Sequence, residues 1–234
     1  METSETQALA VVIGASGGLG CAFVQHLQSS STIDAVIGFS RSSEPPLDLT
    51  SEASIAAAAR LTAEQAGELR LVIDATGFLH DADFGPERSW RHLNAERMAR
   101  AFALNAIGPA LLMKHFLPLF PKGGKSVFAT LSAKVGSIED NRFGGWYSYR
   151  ASKAALNQFV RTAGIELQRK RPEAICVALH PGTVDTALSA PFSKAGLTVQ
   201  PPEQAAGRLL TVLGSLTAEA NGGFYDYKGE RLPW

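Results

Sequence analysis

The chain has 234 residues, 45% of them hydrophobic and 19% charged, a globular composition far from the polar balance that leaves chains disordered. Its 22 basic residues offset 22 acidic ones and no basic run exceeds Arg169-Lys170-Arg171, which excludes a nucleic-acid partner held by general electrostatics. The length suits one large α/β domain over residues 1–234.

Met1 to Gln7 is polar and leads into Ala8–Ile13, too short and wrongly flanked for a signal peptide. Strands are predicted at Leu9–Ile13, Ala35–Phe39, Leu71–Ala75, Lys125–Leu131, Ile175–Leu179 and Gly223–Asp226. These apolar runs lack polar alternation, as strands covered on both faces do. Helical patterns separate them at Leu19–Ser29, Ser51–Ala66, Glu87–Leu93 with a continuation to Phe116, Ser148–Arg169 and Pro202–Leu213. Strands alternating with helices predict a doubly wound parallel sheet of about six to seven strands with helices on both faces. Asn105, Lys114, His115 and Pro118 interrupt the apolar stretch Ala101–Phe120, so no bilayer span and no membrane partner are expected and the protein is placed in the cytoplasm. Cys21 and Cys176, far apart in apolar sequence, read as two reduced core thiols.

After the first strand comes Gly14-Ala15-Ser16-Gly17-Gly18-Leu19-Gly20, followed at once by a helix. Glycines there allow positive φ and close approach of the main chain to a pyrophosphate, while the first helix amides hold its charge. About 20 residues on, an acid would bind the ribose hydroxyl of NAD. The residues there are Ser40, Arg41 and Ser42, so a guanidinium fork with hydroxyl donors, Ser16 among them, favours NADP(H). Arg41 also reads as an ordinary surface residue. Asp48, beside Leu49, either accepts from an adenine amino group or caps the helix near Ser51.

Farther along, Tyr149 and Lys153 stand four residues apart on one face of the predicted helix Ser148–Arg169. A tyrosine titrates near 10, so acid/base work at neutrality asks for anion stabilisation that a neighbouring ammonium supplies. Tyr147 has Ala151 in the equivalent place and lacks that partner. Ser132 ends a strand at the carboxyl edge where open α/β sheets bind ligands, and its hydroxyl can donate to a substrate carbonyl; alone, it would read as a turn residue. Asn105 is polar within an apolar helical stretch, where it either kinks the helix around a water or satisfies its own backbone.

In order, the glycine turn, Asp48, Asp74-Ala75-Thr76-Gly77, Asn105, Ser132, Tyr149…Lys153, Pro181-Gly182-Thr183-Val184-Asp185-Thr186 and the C-terminal segment from Phe224 resemble the short-chain dehydrogenases/reductases, and specifically the C-factor-like branch. The resemblance spans nearly the whole chain. It implies a Rossmann fold, a catalytic tetrad of Asn105, Ser132, Tyr149 and Lys153, and cofactor contacts from Gly14, Ser16, Gly17, Gly18, Leu19, Gly20, Ser40, Arg41, Asp48, Leu49, Ala75, Thr76, Gly77, Pro181, Gly182, Val184 and Thr186. In that scheme Lys153 also binds the nicotinamide ribose and Asn105 holds a water in a proton relay. Ile13 stands where the family often has Thr, and Asp74-Ala75-Thr76-Gly77 replaces its Asn-Asn-Ala-Gly run.

The function expected is NADP(H)-dependent hydride transfer between nicotinamide and a small carbonyl or secondary alcohol, with Tyr149 as acid/base. The alternative is a nucleotide-binding signalling protein with little or no turnover. A serine hydrolase built on Ser132 with His180 or His115 lacks the nucleophile elbow. His80, Asp81 and Asp83 are the one local metal-type cluster, and a polar loop explains them, so no metal is expected. The loop Lys134–Trp146 is predicted to wall the substrate cleft and Ala187–Thr198 to act as a lid. A homodimer or homotetramer is expected through the helices around Ala101–Phe116 and Ser148–Arg169.

Overall fold

The computed structural model describes residues 7–82, 85–192 and 198–234. Its strands are β1 (Ala8–Ile13), β2 (Ala35–Phe39), β3 (Glu68–Asp74), β4 (Ser126–Leu131), β5 (Ala174–His180), β6 (Thr183–Val184), β7 (Val199–Gln200) and β8 (Phe224–Asp226). Six of them form one parallel sheet in the order β2-β1-β3-β4-β5-β8, while β6 and β7 pair separately. The helices are α1 (Gly18–Gln28), α2 (Glu52–Ala63), α3 (Ala95–Phe102), α4 (Gly108–Phe116), α5 (Tyr147–Lys170) and α6 (Pro202–Ser215).

Side chains of a strand point alternately to the two faces. Leu9, Val11 and Ile13 of β1 accordingly enter one core with Ile55 of α2, Leu112 and Phe116 of α4 and Leu156 and Val160 of α5. Ala10 and Val12 enter the other, with Phe23 of α1 and Leu209 of α6. Register brings the carboxyl ends of the strands level: Ile13 pairs with Phe39 and Asp74, Asp74 with Thr130, Leu131 with Leu179, and His180 with Asp226. β1 has β2 on one side and β3 on the other, so the loops that follow β1 and β3 diverge at a switch point, where such sheets form their ligand crevice.

Several sequence expectations change here. The helix predicted from Glu87 starts instead as a 3₁₀ turn at Trp90–His92 and becomes α3 only at Ala95, where Asn94 accepts from Arg97 N at 3.0 Å. Asp48 is not the cap of α2. Ser51 caps it, accepting from Ser54 N at 3.3 Å, while Asp48 Oδ1 takes the Thr50 amide and hydroxyl, each at 2.8 Å. Cys21 is exposed on α1 rather than in the core, because its position turns away from the sheet; Cys176 is buried, and burial pushes its thiol up to about 12.

The expectation that the stretch Ala101–Phe120 falls short of a bilayer span is overturned. Ala95–Leu119 is one helical run of 25 residues with a stretch of mean hydropathy 1.2, apolar and long enough to cross a bilayer by those criteria despite its polar residues. In the fold Ala101, Ala106, Leu112, Met113 and Phe116 of this run are buried against the rest of the protein, while Ile107 is half exposed. Within it, Ala103–Ile107 is a π-helical turn with Asn105 at its centre.

Candidate active site

The glycine turn is built as a phosphate site requires. Gly14 has φ +83°, and a Cβ on Gly20 would stand 2.0 Å from the Gly14 carbonyl oxygen, so neither position admits another residue without rearrangement. No side chain caps α1, whose first amides therefore remain available to an anion at the positive end of the helix. Two predicted cofactor segments converge on this turn, and they approach each other just beyond it. A Cβ on Gly14 would meet Ala75 and Thr76, one on Gly18 would come 3.2 Å from Thr186, and one on Gly77 3.5 Å from Leu188. These residues fit a dinucleotide along the carboxyl edge of the sheet. Leu19 and Leu49 are buried with the core, and Val184 is buried in β6, so their side chains serve packing.

At the far end of the crevice rim, Ser40 ties its own loop together. Its hydroxyl lies 3.0 Å from that of Ser42, its carbonyl accepts from Leu47 N at 2.8 Å, and Ser43 bridges to Pro45. Arg41 projects from this loop, exposed, and its charge helps hold the Asp48 carboxyl below the usual range, after the two bonds from Thr50.

The catalytic candidates are assembled from β4 and α5. Lys153 is 2% exposed, and its Nζ donates to the carbonyl of Leu131 at 2.7 Å, the residue before Ser132. That bond ties the helix bearing Tyr149 to the strand end bearing Ser132. Burial depresses the ammonium to about 8, opposed by the charge of Asp74. Asp74 is fully buried; desolvation raises it, and bonds from Thr130, Thr76 and the Lys153 charge pull it back. In the divergent Asp74-Ala75-Thr76-Gly77 run both carboxylate oxygens of Asp74 are bonded: Thr130 Oγ1 to Asp74 Oδ2 at 2.6 Å joins β4 to β3, and Thr76 closes the turn on Oδ1.

Tyr149 departs from the sequence expectation. Burial pushes its phenol up to about 12 instead of a neighbouring ammonium drawing it down, because Lys153 Nζ is turned to the Leu131 carbonyl and lies 6.0 Å from the ring centroid. The Asn105 side chain is bonded outside its own helix and does not satisfy its own backbone. Its Oδ1 accepts from Phe78 N and its Nδ2 donates to Phe78 O, both at 2.7 Å, and Nδ2 reaches Ser152 Oγ at 3.1 Å. The side chain pins the loop after β3 to α5 and makes no bond with Lys153. An amide inserted into a helix at a π turn is a recurrent cause of such bulges, and here the bond to Phe78 supplies the reason.

Sequence reasoning missed two residues of the site. Glu87, assigned to a helix, is 3% exposed, and its carboxylate accepts from Ser148 N at 3.1 Å and from Ser148 Oγ. It supplies both the missing cap and a favourable charge to the N-terminus of α5, which Trp146 leaves uncapped. Asn157 accepts from Ser132 Oγ at 2.7 Å. Its place four residues after Lys153 was the available signal. Gly144, Gly145 and Trp146 are consecutively left-handed, and Arg150 fastens them with bonds to the Gly144, Gly145 and Val135 carbonyls. The predicted cleft wall thereby sets the Trp146 ring edge-on to Tyr149, at 6.1 Å, and to Phe192, at 5.3 Å. Of the predicted lid, Ser193 to Leu197 lie outside the described residues. His80 Nε2 contacts the Ala187 carbonyl at 3.1 Å and Asp81 pairs with Arg100 at 2.7 Å, which accounts for both; Asp83 lies outside the described residues.

Comparison with known proteins places the fold in a family. A family model described as enoyl-(acyl carrier protein) reductase matches residues 20–212. The C-signal of Myxococcus xanthus is 39% identical over 138 residues, 58% of this chain and 78% of that protein. The 1-hydroxy-2-glutathionyl-2-methyl-3-butene dehydrogenase of Rhodococcus sp. (strain AD45) is 32% identical over 191 residues, 82% of this chain and 80% of that one. Among solved structures, the NADPH-bound carbonyl reductase from chicken fatty liver superposes with a TM-score of 0.84 at 28% identity, covering 98% of this chain and all of the other. With a Rossmann-type sheet, a glycine turn at its switch point and these relatives, the chain belongs to the short-chain dehydrogenase/reductase family and is an NAD(P)-dependent oxidoreductase.

Proposed function

We propose that the protein is an NADP(H)-dependent carbonyl reductase, equally the secondary-alcohol dehydrogenase of the reverse reaction, with Tyr149 as the acid/base. The bond from Lys153 Nζ to the Leu131 carbonyl carries this reading, since it joins the helix bearing Tyr149 and Lys153 to the strand end that precedes Ser132. The bound nicotinamide supplies or accepts the hydride. Gly14, Gly17, Gly18 and Gly20 would hold its pyrophosphate, Ala75 to Gly77 and Pro181 to Thr186 would border it, and Arg41 with Ser40 and Ser42 would take the 2′-phosphate. A phenol titrating at about 12 is protonated at neutral pH, so Tyr149 is ready to donate to a carbonyl oxygen as hydride arrives at its carbon. Ser132 polarises that oxygen with a second hydrogen bond, and the Lys153 charge, 6.0 Å from the Tyr149 ring centroid, favours the phenolate left behind only from a distance. Asn105 maintains the loop and helix around them.

Replacing Tyr149 by Phe tests the reading. NADPH oxidation would be followed over a panel of aldehydes, ketones and secondary alcohols. The expected result is a loss of about 10²–10⁴-fold or more in turnover with NADPH affinity nearly intact. Surviving turnover would show the acid to be another group. The likeness to the C-signal favours a second reading, a nucleotide-binding signalling protein; tight NADPH binding with no turnover on any compound would support it.

For assembly, we propose a homodimer or homotetramer through α4 and α5. Phe159 and Ile165 stand 40% and 43% exposed on α5, and Met113, Leu117, Phe159 and Ala163 line a groove of about 370 Å³ between the helices. Light scattering of wild type against Phe159→Glu would test it. The two unpaired cysteines fit the reducing cytoplasm.

A further inference from the structure

Tyr149, Lys153 and Asn157 follow one another at intervals of four residues along α5 and so form one stripe of the helix. The third member is not solvent-facing. Asn157 is 3% exposed and Ser132 is 4% exposed, and the serine hydroxyl donates to Asn157 Oδ1 at 2.7 Å. The other arm of the same amide, Nδ2, is buried with no hydrogen-bond partner.

Two physical problems meet at this pair. A serine hydroxyl carries a single proton, and here it is spent on Asn157, whereas polarising a substrate carbonyl requires it to point into the crevice. Meanwhile a buried amide donor without a partner is among the rarer and costlier features of a protein interior. One movement resolves both. The oxygen and nitrogen of an amide are nearly equal in size, so a half-turn of the amide group exchanges them in place. Nδ2 then donates to Ser132 Oγ, the serine proton is released, and the unpartnered site is left to a carbonyl oxygen, which tolerates it better.

We propose that Asn157 is the positioning residue of Ser132: with its amide turned to donate from Nδ2 to Ser132 Oγ, it directs the serine proton at the carbonyl oxygen of the substrate. This rests on Ser132 being the substrate-polarising hydroxyl. Asn157 itself touches no reacting atom. It acts by holding Ser132 Oγ from the donor side, so that the serine proton is fixed in the direction of the substrate.

Neutron diffraction from the deuterium-exchanged wild-type protein reads the amide directly. Deuterium on the Asn157 atom facing Ser132 is expected; a bare oxygen there would overturn the proposal. Kinetics give the second arm, using NADPH with 4-nitrobenzaldehyde, or whichever carbonyl compound the panel shows to be reduced fastest. Asn157→Asp keeps the shape, and its ionised carboxylate only accepts. It should trap the serine proton, lowering kcat about as much as Ser132→Ala at alkaline pH, and recover as the pH falls and the acid regains a donor. A flat ratio to wild type across pH would count against the idea. Should the Asp variant fail to fold, Asn157→Ala is compared alone and with Ser132→Ala. The alanine at 157 should cost roughly 10-fold in kcat in the wild-type background and nothing in the Ser132→Ala background. Additive losses overturn the proposal. If Ser132→Ala itself leaves turnover unchanged, the reading of Ser132 fails instead.

Discussion

The two ends of the crevice are built on opposite plans. At the catalytic end Asp74, Ser132, Lys153 and Asn157 are all 4% exposed or less, and each is bonded across to another element: β3 to β4, β4 to α5. At the outer end Ser16 and Arg41 are exposed, and the bonds of Ser40, Ser42 and Ser43 stay within their own loop. The contrast fits the tasks proposed for the two ends, proton and hydride transfer at the one and a cofactor phosphate at the other. A proton or hydride moves only when the reacting atoms are placed within fractions of an ångström, so those groups are fixed before any ligand arrives. A phosphate contact gains its order from the ligand, and an exposed guanidinium suffices. Substitutions at the buried end should therefore damage folding or turnover, and those at the rim should change cofactor affinity alone.

The strongest test of that division is acid. His180, at the end of β5, is depressed by burial to about 4 from 6.5, with Asp226 opposing and Lys134 assisting, and its Nδ1 has no partner. The unfolded chain binds this proton at 6.5 and the folded one only at about 4, so stability is complete above pH 6.5 and falls as the pH drops from there to 4. The loss amounts to about 3 kcal/mol. Denaturant titrations at pH 7 and pH 4 measure it, and His180→Asn should flatten the dependence over that interval. An unchanged acid slope in the variant would place the loss elsewhere.

Next in size is the packing beneath Lys153. A Cβ on Gly136 would come 2.7 Å from Lys153 Cβ and 3.0 Å from its carbonyl carbon, both on the helix backbone or next to it. Gly136→Ala should cost about 1–3 kcal/mol through overpacking. It should also lower kcat by about 10- to 100-fold through displacement of the lysine. Thermal unfolding and steady-state kinetics on the same preparation read the two. Wild-type kcat in a destabilised variant would mean that the buried end tolerates movement, and the contrast drawn above would weaken.

The smallest effect belongs to the rim. Arg41→Ala should raise KM for NADPH about 10- to 100-fold, the value of a lost charged bond, while kcat and the kinetics with NADH stay within about twofold. Equal losses with both cofactors would remove Arg41 from the 2′-phosphate and make it a surface residue.

Much of this was legible in the sequence because it depends on local chemistry. Gly14 and Gly20 announce a turn that only glycine allows, and the unalternated apolar runs announce strands covered on both sides. The i, i+4 pairing of Tyr149 and Lys153 follows from helical pitch alone. Other features were hidden for a common reason: their partners are distant in the chain. Glu87 caps a helix beginning 60 residues later at Tyr147. Asn105 looked as if it served its own helix, yet its bonds go to Phe78 and Ser152. Asp48 and Ser51 are both good capping residues in the right place, and only the folded backbone chose between them.

The sequence by itself determined the parallel sheet and the crevice edge and singled out Ser132, Tyr149 and Lys153 as candidates, since periodicity, turn chemistry and helical spacing act over a few residues and the family resemblance adds the rest. Tertiary structure alone decided what those groups do at rest: Lys153 bonded to a strand carbonyl, the phenol of Tyr149 raised by burial, and the proton of Ser132 in the hands of Asn157. Hydrogen-bond direction and desolvation are set by whatever surrounds a group in space, and neighbours along the chain seldom provide that surrounding.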